Sequence, residues 1–547
     1  MSPSDRLRRR DLLWVALLAA LVFLPGIASR DLWNPDEPRY AEVAREMLVS
    51  GQFFVPHLNG EVYTQKPPLQ FWAMAAASLV TGGMNEVAAR LPAVLSALGT
   101  MLLIFLLGER LFSRRAAWLA VAIFASSAKI LWQGRIGQID MQLIFWVTLA
   151  VWFWVRGETE GRPLFHRLFF VATGCATLAK GPAGLLPPLL AILAYAAWNR
   201  NRSVVRRLRP WLGLAIWAGV VLLWLLPAGL QGGWEYLEQI VFKQNVTRYA
   251  APWHHEKPFY YYLTVIPVDF FPWAFLLPTA GVLGWRWWAR RGEGLSGRGF
   301  RFLVCWALVT LLFFSLSPAK RTVYILTMYP AMALAVAAVF DRLAEGWPTA
   351  RRWTTLPFGI TGGLFTAVSA AFGLFSLGVL EVPRLAQQFA RLPAGLAGVV
   401  SAWLTLAALG ALLALALAWR ARPALATFAL AAGFATMATG FVVTVLPAFN
   451  PFKSARPLAD LYLAGSDGGK EPYAIYHGLD APVLFYTRRT AIWPRSEEEL
   501  MAFARRPGPK WLFMERDDIP TLKEPLPMVE VARGGSDFDG HVLMRGE

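Results

Sequence analysis

Two adjacent carboxylates, Asp36 and Glu37, stand between Pro35 and Pro38, and Arg39 follows at once. Proline fixes its own backbone, so this stretch presents its carboxylates rather than leaving them mobile. A carboxylate held in this way can act as a general base or orient an acceptor. Asp36 also suits the cap of a helix starting near Pro38. Further on, Lys66 sits between Tyr63-Thr64-Gln65 and Pro67-Pro68. A cation there can bind a lipid phosphate, or it can snorkel from an apolar segment to an interface. Asp140 begins another apolar run, where a carboxylate is costly unless it faces water or a partner. Arg135 is the partner expected if its role is structural. Lys180, just before Gly181-Pro182, carries the same ambiguity.

More cations and aromatics recur together. Lys243, Arg248, Tyr249, His254, His255 and Lys257 lead into Phe259 to Tyr262, and Lys320, Arg321 and Tyr324 form a second group. A basic, aromatic rim suits a phosphate-bearing lipid headgroup and a sugar, whose faces stack on rings. Glu37, Tyr63, Lys320 and Arg321 are further candidates for substrate contact. His254 and His255 are neighbours and point in different directions, and three ligands at a metal spacing are absent. The residues therefore fix no cofactor, and a divalent metal stays open. The sequence also lacks a Walker A motif, a G-x-G-x-x-G after a strand, H-E-x-x-H and G-x-S-x-G. A cytosolic nucleotide-sugar site is not supported.

The elements that must position these residues are membrane spans. Of 547 residues, 56% are hydrophobic, and many apolar runs approach the roughly 20 residues that cross a bilayer core. The pattern predicts about thirteen spans, near 12–29, 87–109, 116–131, 140–155, 167–180, 183–198, 210–228, 262–285, 302–317, 322–340, 355–379, 394–418 and 424–446. The first follows Arg6, Arg8, Arg9 and Arg10 and reads as an uncleaved span that starts in the cytoplasm. Alternate loops are rich in Arg: 110–115, 156–167, 200–209, 286–301, 342–352 and 420–422. That bias places them, with the N-terminus, in the cytoplasm. It also explains the net charge of +17 without nucleic acid, which would need one basic face. Cys175 and Cys305 lie in apolar runs and read as packing residues.

Two long loops then face outward, 30–86 and 231–261, and they carry most of the candidate residues. Tyr40 to Val49 and Leu69 to Leu79 look helical and able to lie along the membrane surface. Residues 1–446 form the transmembrane domain. Residues 447–547 turn polar, with strand-like runs at Tyr473 to Tyr476, Val483 to Tyr486, Trp511 to Met514 and Met528 to Val531. The fold class is an all-α polytopic membrane domain with a small C-terminal α/β domain in the periplasm.

The block Asp31-Leu-Trp-Asn-Pro-Asp-Glu-Pro-Arg-Tyr-Ala-Glu42, then Glu46-Met-Leu, Val55-Pro-His57-Leu and Lys66-Pro-Pro, resembles the first periplasmic loop of bacterial aminoarabinose transferases. These belong with the protein O-mannosyltransferase-like GT-C glycosyltransferases. Ala179-Lys-Gly-Pro182, Ser317-Pro-Ala-Lys320, Tyr324-Ile-Leu326 and Phe449 to Ser454 support the resemblance. It implies a bacterial inner-membrane enzyme that takes a sugar from an undecaprenyl phosphate donor. It implies that Asp36 is the catalytic carboxylate and that Asp140 is the second acidic residue. Arg39, Lys66, Tyr324 and Arg248 would contact the donor phosphate. The aminoarabinose branch commonly has Glu before the lysine. Here it is Gln65, which removes a possible metal or amino-sugar contact.

The expected reaction is a single displacement with inversion, because no second carboxylate is placed as a nucleophile. The expected acceptor is lipid A or a related envelope glycolipid, with protein or another glycan as the alternative. A lipid or solute transporter would need paired charges at mid-span and repeated halves, and the sequence shows neither.

Overall fold

Inside a bilayer only a helix satisfies all its backbone groups within one segment, so the apolar runs fold as helices. The computed structural model describes residues 3–247, 256–289, 294–347, 349–478, 480–534 and 540–547. Among these, eight helices are long and apolar enough to cross a membrane, or up to ten if two bent pairs each count as one span. About thirteen spans were expected, and several of the remaining expected segments are short, broken or bent helices.

The first helix, α1, runs Pro3–Phe23 and stops short of residue 29, in a turn through Gly26. The expected span 116–131 is α5, Arg114–Ala125, followed by a separate short α6, Ala128–Gln133. The Ser126 and Ser127 hydroxyls bond back to the carbonyls of Ala122 and Ile123 at the break. Residues 167–198 form two helices, Pro163–Lys180 and Leu186–Trp198, bent by 80° across Gly181–Gly184. The expected straight span 262–285 bends by 111° between Tyr261–Asp269 and Trp273–Trp288. Pro267 and Pro272 lie there and lack the N–H that a continuous helix needs.

The loop 30–86, expected to face outward, is structured. It holds α2, Asp36–Ser50, the hairpin β1 and β2, His57–Leu58 and Glu61–Val62, and α3, Leu69–Thr81. Next come α4, Glu86–Leu111, and α7, Ile139–Glu160. Both are largely buried in the central core, with α5 and Tyr329–Ala344. Arg352–Ser376 and Leu396–Trp419 instead expose leucines such as Leu364, Leu409 and Leu413. A lipid-facing surface has that character.

The C-terminal sheet has strands β3 Tyr473–Tyr476, β4 Lys510–Glu515, β5 Val529–Gly534 and β6 His541–Gly546. Their order is β3-β4-β6-β5, with β3 and β4 parallel and the other pairs antiparallel. Alternation along β3 sends Tyr473 and Ile475 to one face and Ala474 and Tyr476 to the other. Helices cover both faces: Arg456–Gly465 and Asp480–Thr487 on one, Glu497–Ala504 on the other. The run Val483 to Tyr486, expected as a strand, is therefore helical. Its side chains from Val483 to Phe485 are all buried, and a short apolar run has no period that separates the two forms.

Candidate active site

Helix α2 begins at Asp36, and its N-terminus has no side-chain cap. Asp36 is therefore not a capping residue. Its carboxylate accepts a hydrogen bond from Gln138 Nε2 at 3.0 Å and a longer one from Arg321 Nη2 at 3.4 Å. Gln138 in turn accepts from Gln133 Nε2 at 2.8 Å, and Gln133 reaches Asp140 at 3.4 Å. Asp140 is ion-paired with Lys180, not with Arg135. The Arg135 guanidinium is spent on the carbonyls of Leu131 and Val22 and the hydroxyl of Thr439. The Lys180 ammonium lies 4.8 Å from the ring centre of Tyr324. A buried relay of two amides thus joins the two carboxylates, with one cation on each.

Arg321 and Tyr40 close the cluster. Burial alone would lower the Arg321 pKa, but Asp36 and Asp140 outweigh it and raise it. The Tyr40 phenol is pushed up by burial first, then by Asp36, Tyr63 and Asp140. Both therefore sit within the field of the same two carboxylates. Tyr40 and Tyr63 each pack edge-on against Phe71, at 5.7 and 5.9 Å. Lys66 is half-buried on the strap between Tyr63 and α3. Arg39, half-buried on α2, has no hydrogen-bond or ion-pair partner among the described residues.

Two of the expected contacts are structural. Glu37 bonds Arg30 at 2.7 Å, Arg90 Nε at 2.8 Å and the Gly137 amide at 2.8 Å. Arg90 uses its remaining donors on the carbonyls of Ile27, Arg30 and Asp31 and on the second Glu37 oxygen. All five guanidinium hydrogens are satisfied. Gly137 must be glycine here, since a Cβ would stand 2.8 Å from the Ala89 carbonyl oxygen. Lys320 is also buried, and it donates to the carbonyls of Lys257 and Ser317 at 2.9 and 2.5 Å. It ties the segment at Lys257 to the turn that carries Arg321. Arg248, Tyr249, His254 and His255 lie outside the described residues. Among the described residues no group of three His, Cys, Asp or Glu side chains is placed to hold a metal ion.

Sequence reasoning did not single out Gln133, Gln138, Tyr40, Arg30 or Arg90. Arg90 had a signal, a charge inside an otherwise apolar helix next to Pro92. The glutamines had none, because amides at a span mouth are unremarkable until their partners are known.

Residues 10–243 match the family model of dolichyl-phosphate-mannose-protein mannosyltransferases. The chain is 32% identical over 411 residues to the undecaprenyl phosphate-alpha-4-amino-4-deoxy-L-arabinose arabinosyl transferase of Shewanella sediminis, covering 72% of this chain and 70% of that one. The enzyme of the same description from Pectobacterium carotovorum is 31% identical, with 68% and 66% covered. Among solved structures, ArnT from Cupriavidus metallidurans bound to undecaprenyl phosphate superposes with a TM-score of 0.79 at 21% identity, over 97% of each chain. The archaeal oligosaccharyltransferase AglB from Archaeoglobus fulgidus is more distant, with a TM-score of 0.52 at 13% identity, over 93% of this chain and 70% of that one. These likenesses extend the shared fold through both the spans and the C-terminal sheet.

Proposed function

The chain belongs to the aminoarabinose transferase and protein O-mannosyltransferase-like family of GT-C glycosyltransferases, and from that premise we propose that it moves a sugar from undecaprenyl phosphate to lipid A or a related envelope glycolipid. The observation that carries this reading is Asp36, held by Gln138 and Arg321 and linked through Gln133 to the Asp140–Lys180 pair.

In the reaction, an acceptor oxygen attacks the anomeric carbon, and the bond from that carbon to the lipid phosphate oxygen breaks. The electron pair leaves with the phosphate. Arg321, Lys180, Arg39 and Lys66 offer positive charge to the growing phosphate anion, and Tyr324 offers a hydroxyl. An acceptor hydroxyl gives its proton to Asp36. An acceptor phosphate has no proton to give, and Asp36 then positions it. One displacement inverts the anomeric centre. Arrangement follows from the arginine-rich loops: the N-terminus is cytoplasmic, and the outward loops and C-terminal domain are periplasmic, at the inner membrane. The match to protein mannosyltransferases favours a protein acceptor as the second reading.

Lipids extracted from membranes with wild-type protein and with Asp36→Asn, at equal expression, test the proposal by mass spectrometry. The variant should accumulate the polyprenyl phosphate-sugar and lose one glycan mass from lipid A, with turnover down about a hundredfold or more for a hydroxyl acceptor. The missing mass also names the sugar, which matters because Gln65 replaces the family's usual Glu. Unchanged lipid pools, with the wild type active, would sink the reading.

A further inference from the structure

Helix α2 holds Asp36 at its start and borders a separate cleft at its other end. That cleft, of about 770 Å³, lies where α2 and the β1–β2 hairpin meet the C-terminal domain. Arg45, Glu46 and His57 line it from the first side, and Lys470, Glu471, Arg488 and Arg489 from the second. Glu46 lies ten residues along α2 from Asp36, which is about 15 Å of helix.

Most charges around the cleft are matched. Arg45 donates to Glu42 through Nε and Nη2, each at 2.7 Å. Lys470 pairs with Asp467 at 2.6 Å. Glu471 accepts from the Trp511 indole and pairs with Arg545 at 3.4 Å. The two Glu46 oxygens accept from the amides of Asn59 and Gly60, at 2.6 and 3.1 Å. Arg488 and Arg489 differ: among the described residues neither has a carboxylate partner, and Arg489 Nη2 donates to the Gly468 carbonyl at 3.0 Å. With Glu42, Asp467 and Arg545 counted, cations exceed carboxylates by five to four.

The backbone holds both arginines in place. Arg488 follows the helix Asp480–Thr487 with φ 57°, a left-handed conformation that glycine or asparagine fills with less strain. Strained backbone positions cluster at sites that grip a ligand. Gly469 has φ 82°, and a Cβ on it would stand 2.7 Å from Arg489 Nε, so a bare turn lets this guanidinium lie against it. His57 is half-buried, and exposed Ser50, Gln52 and Thr490 add hydroxyl and amide groups. Fixed cations favour an anion, and the hydroxyls and amides suit a sugar rather than an acyl chain.

We propose that this cleft is an exosite for an anionic saccharide: Arg488 and Arg489 hold a phosphate or carboxylate of the glycolipid acceptor while the reacting group of the same molecule lies at Asp36. The C-terminal domain thereby selects the acceptor, and the chemistry stays at the start of α2. The assignment rests on the transferase reading above.

The test uses the full-length protein in detergent, with undecaprenyl phosphate-linked sugar as donor. Lipid A, and lipid A extended by a carboxylate-bearing sugar, serve as acceptors. Arg488→Gln combined with Arg489→Gln should raise the acceptor KM about tenfold or more, the loss expected for charge-assisted hydrogen bonds. The donor KM, and kcat at saturating acceptor, should stay within about twofold. A rise with both acceptors identifies the held group as a phosphate, and a rise with the extended one alone identifies it as the carboxylate. Arg488→Lys with Arg489→Lys keeps the charge and should keep most of the wild-type KM. Added salt should raise the acceptor KM of wild type more than that of the glutamine variant, because it screens the cations. Melting temperature, and its rise with undecaprenyl phosphate, shows that each variant is folded and intact on the donor side. If neither acceptor KM moves in such a variant, or the donor KM rises instead, the assignment is wrong. If the KM rise appears with an acidic peptide acceptor and not with the lipids, the saccharide assignment is wrong. If wild type transfers nothing to either lipid, the functional reading fails, and the exosite falls with it.

Discussion

Two carboxylates one residue apart have opposite fates. Asp36 lines a cavity and joins the relay, while Glu37 is sealed between two arginines. Burial pushes the Glu37 carboxyl up, but Arg30 and Arg90 outweigh it and hold it at about 2, below its ordinary 4.5. A depressed carboxyl stabilises the fold above its unfolded pKa, and that stability is lost as pH falls through the folded one. The contribution, on the order of 3 kcal/mol, should therefore be present above about pH 4.5 and vanish toward pH 2. Melting temperatures at pH 7, 4 and 3 measure it. Glu37→Gln should cost about 3–5 kcal/mol at neutral pH by stranding two buried cations. It should also flatten the acid limb; a variant that melts like wild type would contradict the structural role. Asp36 stood out in the sequence because prolines bracket it. The role of Glu37 did not, because Arg90 is 53 residues away and nothing local announces the pair.

The break between α8, Pro163–Lys180, and the helix Leu186–Trp198 aims a lysine. Gly181 adopts φ 68° and ψ −152°, a conformation open to glycine and strained for any side chain. Gly184 packs so closely that a Cβ would stand 2.4 Å from the Ala176 carbonyl carbon. Together they end α8 at Lys180, beside Asp140. Gly181→Ala should displace Lys180, lowering turnover about tenfold for roughly 1–3 kcal/mol of backbone strain. Turnover and melting temperature measured together check this, and a variant with full activity would remove the break from the mechanism. The long apolar helices were readable from hydrophobicity. The bends were not. A glycine-proline pair marks an interruption, but whether two limbs cross separately or fold back depends on what packs into the angle. The same holds at Ser126-Ser127, where the serines look like ordinary span residues until Trp273 donates its indole N–H to Ser126.

The C-terminal domain is docked onto the loop 30–86 rather than tethered beside it. Asn59 exchanges two hydrogen bonds with the backbone of Ala491, at 2.9 and 2.8 Å. Phe485 enters the apolar cluster formed by α2 and α3, and the Tyr486 hydroxyl accepts from the Leu32 amide at 2.7 Å. Removing that acceptor leaves a buried amide unpaired. Tyr486→Phe should therefore loosen the junction by about 1–3 kcal/mol. Faster cleavage of the first loop in limited proteolysis, at unchanged solubility, is the expected readout; an unchanged cleavage pattern would count against the docking. The sequence showed a change of composition after residue 446 and no sign that residues beyond it return to the loop 30–86. Such pairings span more than 400 residues, as between Trp33 and Asn450, and leave no periodic trace. They also set an order of events during biosynthesis. Asn450 holds Trp33, a wall of the cavity at Asp36, and Lys453 lines that cavity, yet the ribosome reaches them late. At about 5–20 residues per second, roughly 20–80 s of translation separate Asp36 from Lys453. Throughout that interval the nascent chain holds its carboxylate in a chamber with one side missing. A chain truncated before that point lacks the side chains of Asn450 and Lys453 near Asp36.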